Sequence, residues 1–379
     1  MIIRRKVQKR VEKALAEGEN AIIVYGPRQA GKTTLVRQIA KNYAKDRVRY
    51  FNADYLSVRR VFDYEKAEHL GNVARGLDLI ILDEAQRIEN IGLTLKILRD
   101  EYPQLRVLAT GSSSFELSNK VNEPLTGRKQ EFHLYPFSLS EIVDSGDMVK
   151  QNQTVEHMLR FGGYPVAALG NEIRAEEYLK ELTGSYLFKD IFTFQDLRRP
   201  ELLVKLTELL ALQIGQEVSY HELATQLGVD QKVIQRYILL LEAAFVVFRL
   251  SSLSNNPRKE ISKKRKIYFY DLGVRNAILG NHLRPDLRTD KGALWENFCI
   301  AERMKYLEMR GISAKRYFWR TYTQKEVDYI EDRGDRREAY EFKWSQRKEA
   351  KADPAFLKEY RIDFFETVTR DNWEMFLGL

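Results

Sequence analysis

The sequence predicts an α/β chain built from more than one domain, on three observations. A compact β-branched run, Ala21-Ile22-Ile23-Val24-Tyr25, leads at once into a glycine-bearing loop and a helically spaced segment. A second apolar run at 77–82 ends in two acids, Asp83 and Glu84. Further on, stretches with helical spacing give way to short segments that alternate like strands. At 379 residues the chain exceeds what a single core usually organises, so two or three domains are expected.

Composition narrows the class. Hydrophobic residues make up 44% and charged residues 31%, which is ordinary for a packed globular protein and too apolar for a disordered one. Lys and Arg outnumber Asp and Glu by 62 to 54, a net charge of +8, which leans towards an anionic partner with nucleic acid as first candidate. Cys299 is the single cysteine, which excludes an intrachain disulfide and a thiolate metal cluster. The longest apolar runs, 77–82 and 237–248, fall short of the roughly 20 residues needed to span a bilayer, and Glu242 interrupts the second. The N-terminal stretch is basic (Arg4, Arg5, Lys6, Lys9, Arg10) with no hydrophobic segment behind it, unlike a signal peptide, so a cytoplasmic protein without a membrane partner is expected.

The first strand is followed by Gly26-Pro27-Arg28-Gln29-Ala30-Gly31-Lys32-Thr33 and then Thr34, where the helix continues. This is a G-x-x-x-x-G-K-T element in its strand–loop–helix setting, a phosphate cradle whose backbone N–H groups point inward at a β-phosphate. Residues 26–34 are therefore expected to bind ATP. Lys32 would neutralise the β- and γ-phosphates and the Thr33 hydroxyl would ligate Mg²⁺. The strand ending in Asp83 and Glu84 supplies the other half: Asp83 to organise the magnesium, Glu84 to polarise the attacking water. Two acids at the end of a hydrophobic strand are costly unless a cation or substrate pairs them. A third strand, 105–110, runs into Gly111-Ser112-Ser113-Ser114, and Ser112 or Ser113 is the candidate to sense a γ-phosphate. Arg128, in the turn Leu125-Thr126-Gly127-Arg128, is either an arginine finger acting on a neighbour's site or a surface arginine.

These segments, together with Leu82-Asp83-Glu84-Ala85-Gln86 and Gly162-Gly163-Tyr164-Pro165, resemble the bacterial and archaeal AAA+ ATPase family across nearly the whole chain. The resemblance implies an AAA+ core at 1–137 with a parallel sheet, a small helical lid at 138–195, and a tendency to form homo-oligomeric rings.

From 201 the pattern is helical, with Leu202, Leu203, Leu206, Leu209 and Leu210 on one face. Ser219 and Glu222 read as a capping box opening a helix that ends at Gly228, and Asp230 caps another helix over 231–245. Strands at 246–250 and 267–270, joined by a basic loop, complete a winged-helix reading for 196–274. Lys232, Gln235 and Arg236 on the second helix, and Lys263, Lys264, Arg265 and Lys266 in the wing, suit DNA phosphates. The other reading is a module that docks against protein, its basic run a solvated hairpin tip.

The last segment, 275–379, reads as a helix over 292–309 followed by strands at 315–320, 326–330 and 338–344. Alternation puts Glu341 and Lys343 on one side, so Asp328, Glu341 and Lys343 form D…E-x-K, with Glu296 on the preceding helix. Two carboxylates on adjacent strands hold Mg²⁺ in such sites, and the lysine orients the nucleophile. The arrangement resembles the PD-(D/E)XK nuclease superfamily, in particular archaeal Holliday-junction resolvases, although the proline of the signature is absent. The resemblance implies a restriction-endonuclease-like fold, either cutting DNA or surviving as a degenerate scaffold in which Lys343 salt-bridges Glu341 or Asp328. Two functional expectations follow. One is an ATP motor that binds or remodels DNA, branched DNA such as a Holliday junction included. The other is a nucleotide-dependent signalling or protein-remodelling ATPase with no DNA activity.

Overall fold

The computed structural model describes residues 2–62, 67–112, 125–143, 147–187, 199–254, 265–321, 323, 325–345 and 352–379. Ser113, Lys263 and Lys264 lie outside the described residues. The chain divides into two compact units, one of residues 1–136 and 243–245, the other of residues 137–242 and 246–379.

The first unit is built on a five-stranded parallel sheet in the order β2-β3-β4-β1-β5. Its strands are β1 (Ala21–Tyr25), β2 (Val48–Asn52), β3 (Leu79–Asp83), β4 (Arg106–Gly111) and β5 (Lys129–His133). Every residue of β1 and β3 is buried, as expected of strands covered on both faces, and this is why both read as unbroken apolar runs. The core joins Ile22, Val24, Leu79, Ile81 and Leu108 from the strands to Val11 and Leu15 of the helix Gln8–Glu17 and Leu35, Val36 and Ile39 of the helix Lys32–Ala40. Because all five strands run the same way, the ends of β1, β3 and β4 open on one edge. In such sheets ligands bind outside the carboxyl ends of the strands.

The second unit carries a seven-stranded mixed sheet in the order β12-β11-β10-β9-β7-β8-β6. Here β6 is Glu217–Val218, β7 is Val247–Ser252, β8 is Arg265–Phe269 and β9 is Lys315–Arg320. The remaining strands are β10 (Glu326–Asp332), β11 (Arg337–Phe342) and β12 (Phe364–Val368). Ser251 and Ser252 of β7 pair in parallel with Tyr317 and Phe318 of β9, so the sheet runs unbroken across the 274/275 boundary expected from the sequence. Strand pairing between distant segments leaves no mark on the periodicity of either one.

Helices surround this sheet. Helix Tyr220–Leu227 opens on Ser219, whose side chain accepts from the Glu222 N–H, and closes on Gly228 in the left-handed region. Helix Gln231–Ala243 follows, two residues shorter than expected. The strand β8 begins at Arg265, so Arg265 and Lys266 belong to the sheet and not to a loop. The 20-residue helix Lys291–Arg310 buries Trp295, Phe298, Cys299 and Met304. Helices Met148–Phe161 and Leu272–Ile278 meet at the Gly162-Gly163 pair that follows the first. Gly163 N–H donates to Asp271 Oδ2 at 2.7 Å, and Asp271 also caps the second helix through Val274 N–H.

Candidate functional site

The loop after β1 takes the shape that its glycines allow. Gly26 N–H donates to Gly111 O at 3.2 Å, tying the loop to the end of β4. A Cβ at Gly26 would lie 2.1 Å from Leu134 O, so no larger residue fits there without backbone movement. The chain then passes through the left-handed region at Gln29 (φ 62°) and Gly31 (φ 98°) before entering the helix Lys32–Ala40. Gly31 is the residue type that takes this conformation at no steric cost. Pro27 and Ala30 are buried, Arg28 is half-buried, and Gln29 and Thr34 are exposed. Lys32, 5% exposed, arches back over the loop, its Nζ donating to Gly26 O at 2.7 Å and Pro27 O at 2.9 Å. An ammonium held at the mouth of a helix N-terminus is a site for a polyphosphate.

The acids of β3 meet this loop through a chain of hydroxyls. Asp83 is 2% exposed, and its Oδ2 accepts from Thr33 Oγ1 at 2.7 Å and from Tyr50 OH at 2.5 Å. Its Oδ1 accepts from Thr110 Oγ1. Burial, reinforced by the Asp83 carboxylate, pushes the Tyr50 phenol up to about 12, so Tyr50 stays a donor. The Thr110 hydroxyl in turn accepts from Glu84 N–H at 3.1 Å, which holds Glu84 at φ 55°. A non-glycine residue in that region costs on the order of 1–3 kcal/mol and persists only where its surroundings impose it. Glu84 Oε2 accepts from Gln86 Nε2 at 2.7 Å, and the same amide nitrogen lies 2.9 Å from Ser112 Oγ. The structure thus brings together Lys32, Thr33, Asp83, Glu84 and Ser112.

Four further residues belong to this arrangement and were not singled out for it: Tyr50, Thr110, Gln86 and Arg5. Thr110 and Gln86 stood inside segments already noticed, one residue before Gly111 and two after Glu84. Tyr50 comes from β2, which pairs with β3 so that Asn52 lies opposite Asp83. Arg5 donates to Ala30 O at 2.8 Å and to Tyr135 O at 2.7 Å, bracing the loop from the N-terminal segment, and nothing in the sequence signals it.

The donor set fits Mg²⁺ with a nucleotide. A hydroxyl and a carboxylate converge at 2.7 Å beside the loop, both hard oxygen ligands. Among the described residues no group of three or more His, Cys, Asp or Glu could hold a metal ion.

Arg128 is elsewhere. Its carbonyl accepts from Ala21 N–H at 2.9 Å, at the start of β1, so it stands at the sheet edge opposite the phosphate loop, and its guanidinium pairs with Asp100 at 2.9 Å.

The second unit holds the other predicted constellation. Glu341 pairs with Lys343 at 3.1 Å, and Asp328 Oδ2 accepts from Phe342 N–H at 2.9 Å. Glu296 Oε1 accepts from Tyr268 OH at 2.6 Å. Burial first, and then the charge of Asp328, push the Glu296 carboxyl up to about 7 against the opposing pull of Lys266 and Tyr268. Burial also raises Glu341, with Lys343 opposing it. In Lys343 the lowering by burial is outweighed by the charges of Asp328 and Glu341.

One expectation is corrected here. Lys266 was expected to reach DNA from a solvated wing, yet it is 1% exposed. Its Nζ lies 3.0 Å from Glu296 Oε1, 2.5 Å from Glu326 Oε1 and 3.7 Å from Asp328 Oδ1. The reason is its position in β8, where it faces the core, and a buried ammonium is tolerated only when acids pair with it. Arg265, half-buried, lies with its guanidinium 5.3 Å from the centroid of the Tyr220 ring. Lys232, Gln235 and Arg236 are exposed on the helix Gln231–Ala243, as expected.

Comparison with known proteins agrees with the first unit's geometry. Residues 18–143 match an AAA domain, 152–284 match a domain of unknown function (DUF8612), and 291–369 match another (DUF4143). An uncharacterised protein of Mycobacterium tuberculosis is 29% identical over 345 residues, covering 87% of this chain and 72% of its own length. An uncharacterised protein of Methanocaldococcus jannaschii is 24% identical over 366 residues, covering 90% of this chain and 79% of its own. Among solved structures, the Walker-type ATPase of Pyrococcus abyssi aligns with a TM-score of 0.49 at 16% identity, over 73% of this chain and 96% of that one. Among the described residues no helix is long and apolar enough to cross a membrane. The chain therefore carries a P-loop ATPase domain of the AAA type, followed by two domains whose function is not known.

Proposed function

We propose that this chain hydrolyses Mg-ATP and couples the reaction to binding and remodelling of DNA. The observation that carries the ATPase reading is the run Thr33–Asp83–Thr110–Glu84, which ties the phosphate loop to both acids of β3. Bound Mg²⁺ would supply charge to offset that developing on the transferred phosphoryl group. Thr33 and Asp83 would hold it, and Lys32 would leave the carbonyls of Gly26 and Pro27 for the β- and γ-phosphates. Glu84, held by its left-handed backbone and by Gln86, would accept the proton of the attacking water. Gln86 and Ser112 would set its position.

The DNA reading rests on charge and on exposed side chains. The chain carries +8, and Lys232, Gln235 and Arg236 form an exposed polar face on the second helix of a winged-helix-like arrangement, with Arg265 at the foot of the hairpin. Backbone contact suits this face better than base readout. A restriction-endonuclease-like C-terminal domain would recognise branched DNA. Arg128 would act on a neighbouring copy in a homo-oligomer, and its pairing with Asp100 would have to yield there.

The test is the ATPase rate against duplex, single-stranded and four-way-junction DNA, with Lys32→Ala and Glu84→Gln as controls. Both variants should lose hydrolysis, the second while still retaining nucleotide. DNA stimulation that falls steeply with salt supports the motor; a rate indifferent to every DNA favours the second reading, a switch or protein-remodelling ATPase. The burial of Lys266 among the C-terminal acids specifically favours that alternative, because it removes one expected DNA contact.

A further inference from the structure

The Mg²⁺ implied by a nuclease-like fold does not fit the residues around Glu296 and Asp328. Mg²⁺ takes oxygen ligands at about 2.0–2.1 Å in near-octahedral geometry, usually one or two carboxylates and several waters. Here Glu296, Glu326 and Asp328 already converge on the Lys266 ammonium, at 3.0, 2.5 and 3.7 Å. A second cation bound to the same oxygens would stand within a few ångströms of that ammonium, where repulsion in a poorly solvated interior is severe.

Lys266 is also held in place. Its backbone lies in β8 between β6 and β7, opposite Glu217 and Leu250. Its stem crosses the sheet face towards β10, and the Nζ sits 5.6 Å from the centroid of the Phe318 ring of β9. The side chain is 2% exposed, so it has no solvated conformation to retreat to without opening the sheet. The Tyr268 hydroxyl also donates to Glu296 Oε1 at 2.6 Å, and Asp328 Oδ2 accepts from Phe342 N–H at 2.9 Å, so both acids carry a hydrogen bond besides the ammonium. On the outer side, Lys343 pairs with Glu341 instead of standing beside an open metal position.

We propose that Lys266 is a built-in counter-cation that closes the C-terminal carboxylate cluster to divalent metal, making it an ion-pair lock between β8, β10 and the helix Lys291–Arg310 rather than a cleavage site. Removing the ammonium while keeping its volume uncovers a latent divalent site. This does not rest on the ATPase assignment, since every residue involved belongs to the second unit.

The experiment uses the full chain without nucleotide and Mn²⁺ as probe, with bound metal counted by electron paramagnetic resonance. Wild type and Asp328→Asn should bind the same amount of Mn²⁺. Lys266→Met should bind one more ion per chain, and Lys266→Met with Asp328→Asn should lose it. The thermal midpoint of Lys266→Met should rise with added Mn²⁺ while that of wild type stays put. If Lys266→Met does not fold, the first comparison still decides. A wild-type Mn²⁺ site abolished by Asp328→Asn overturns the proposal, and so does a folded Lys266→Met that gains no ion.

Discussion

Thr110→Val isolates one hydroxyl on which both acids of the phosphate site depend. The side chain is fully buried, and valine matches its shape, so the substitution opens almost no cavity. Two bonds are lost: the one Thr110 donates to Asp83 Oδ1 and the one it accepts from Glu84 N–H. A hydrogen bond to a charged group contributes about 1.5–3 kcal/mol, and leaving a buried N–H unmet costs about 1–3 kcal/mol. The folded state should therefore lose about 3 kcal/mol, read as a shift of the urea midpoint. Asp83 keeps Thr33 and Tyr50 as partners, so nucleotide binding should change little. Glu84 loses the bond that fixes its left-handed backbone, and the water it activates drifts from line. A catalytic loss of 10- to 100-fold corresponds to about 1.4–2.7 kcal/mol, within what a misplaced base costs. The assay is steady-state ATPase with nucleotide affinity measured separately. A kcat within twofold of wild type, with unchanged stability, would refute the role given to Thr110.

Gly162→Ala should destabilise the second unit by several kcal/mol, or prevent its accumulation. Gly162 sits at φ 70° and ψ −163°, a region open in practice to glycine alone, and a Cβ there would meet Asp271 Oδ1 at 1.9 Å. Denaturation of the purified variant checks this, and a loss under about 1 kcal/mol would contradict the packing described. Glu296 makes stability depend on pH. Its folded carboxyl titrates near 7, above the ordinary value of 4.5, so the native state keeps a proton that the unfolded chain releases first. That contribution is complete below pH 4.5 and is lost as pH rises through about 7, at most on the order of 3 kcal/mol. Relative to wild type, Glu296→Gln should show a flatter stability profile between pH 5 and 8 in urea titrations; parallel profiles would rule the shift out. Gln86→Ala should lower kcat several-fold with KM little changed, since it releases Glu84 Oε2 without touching the phosphate loop.

The phosphate site was legible because its information is contiguous. A glycine-bearing loop between a buried strand and a helix, and two acids at the end of another buried strand, have little other use for those residues at those positions. The helix starts at Ser219 and the stop at Gly228 were legible for the same reason, since a cap acts within one turn. The basic run was misjudged at Lys266 because four cations in a row read as solvent-facing, whereas β8, paired on both sides, is buried from Lys266 to Phe269.

By itself, then, the sequence determined the local chemistry: which loop cradles phosphate, which strand brings the acids, and where helices begin and end. Tertiary structure alone decided the company those residues keep. Tyr50 reaches Asp83 because β2 pairs with β3, and Lys266 meets Glu296, 30 residues away, because the helix Lys291–Arg310 packs against β8. Backbone motifs are written in short-range spacing, whereas the partners of a buried charge are set by strand order and packing, which no local pattern encodes.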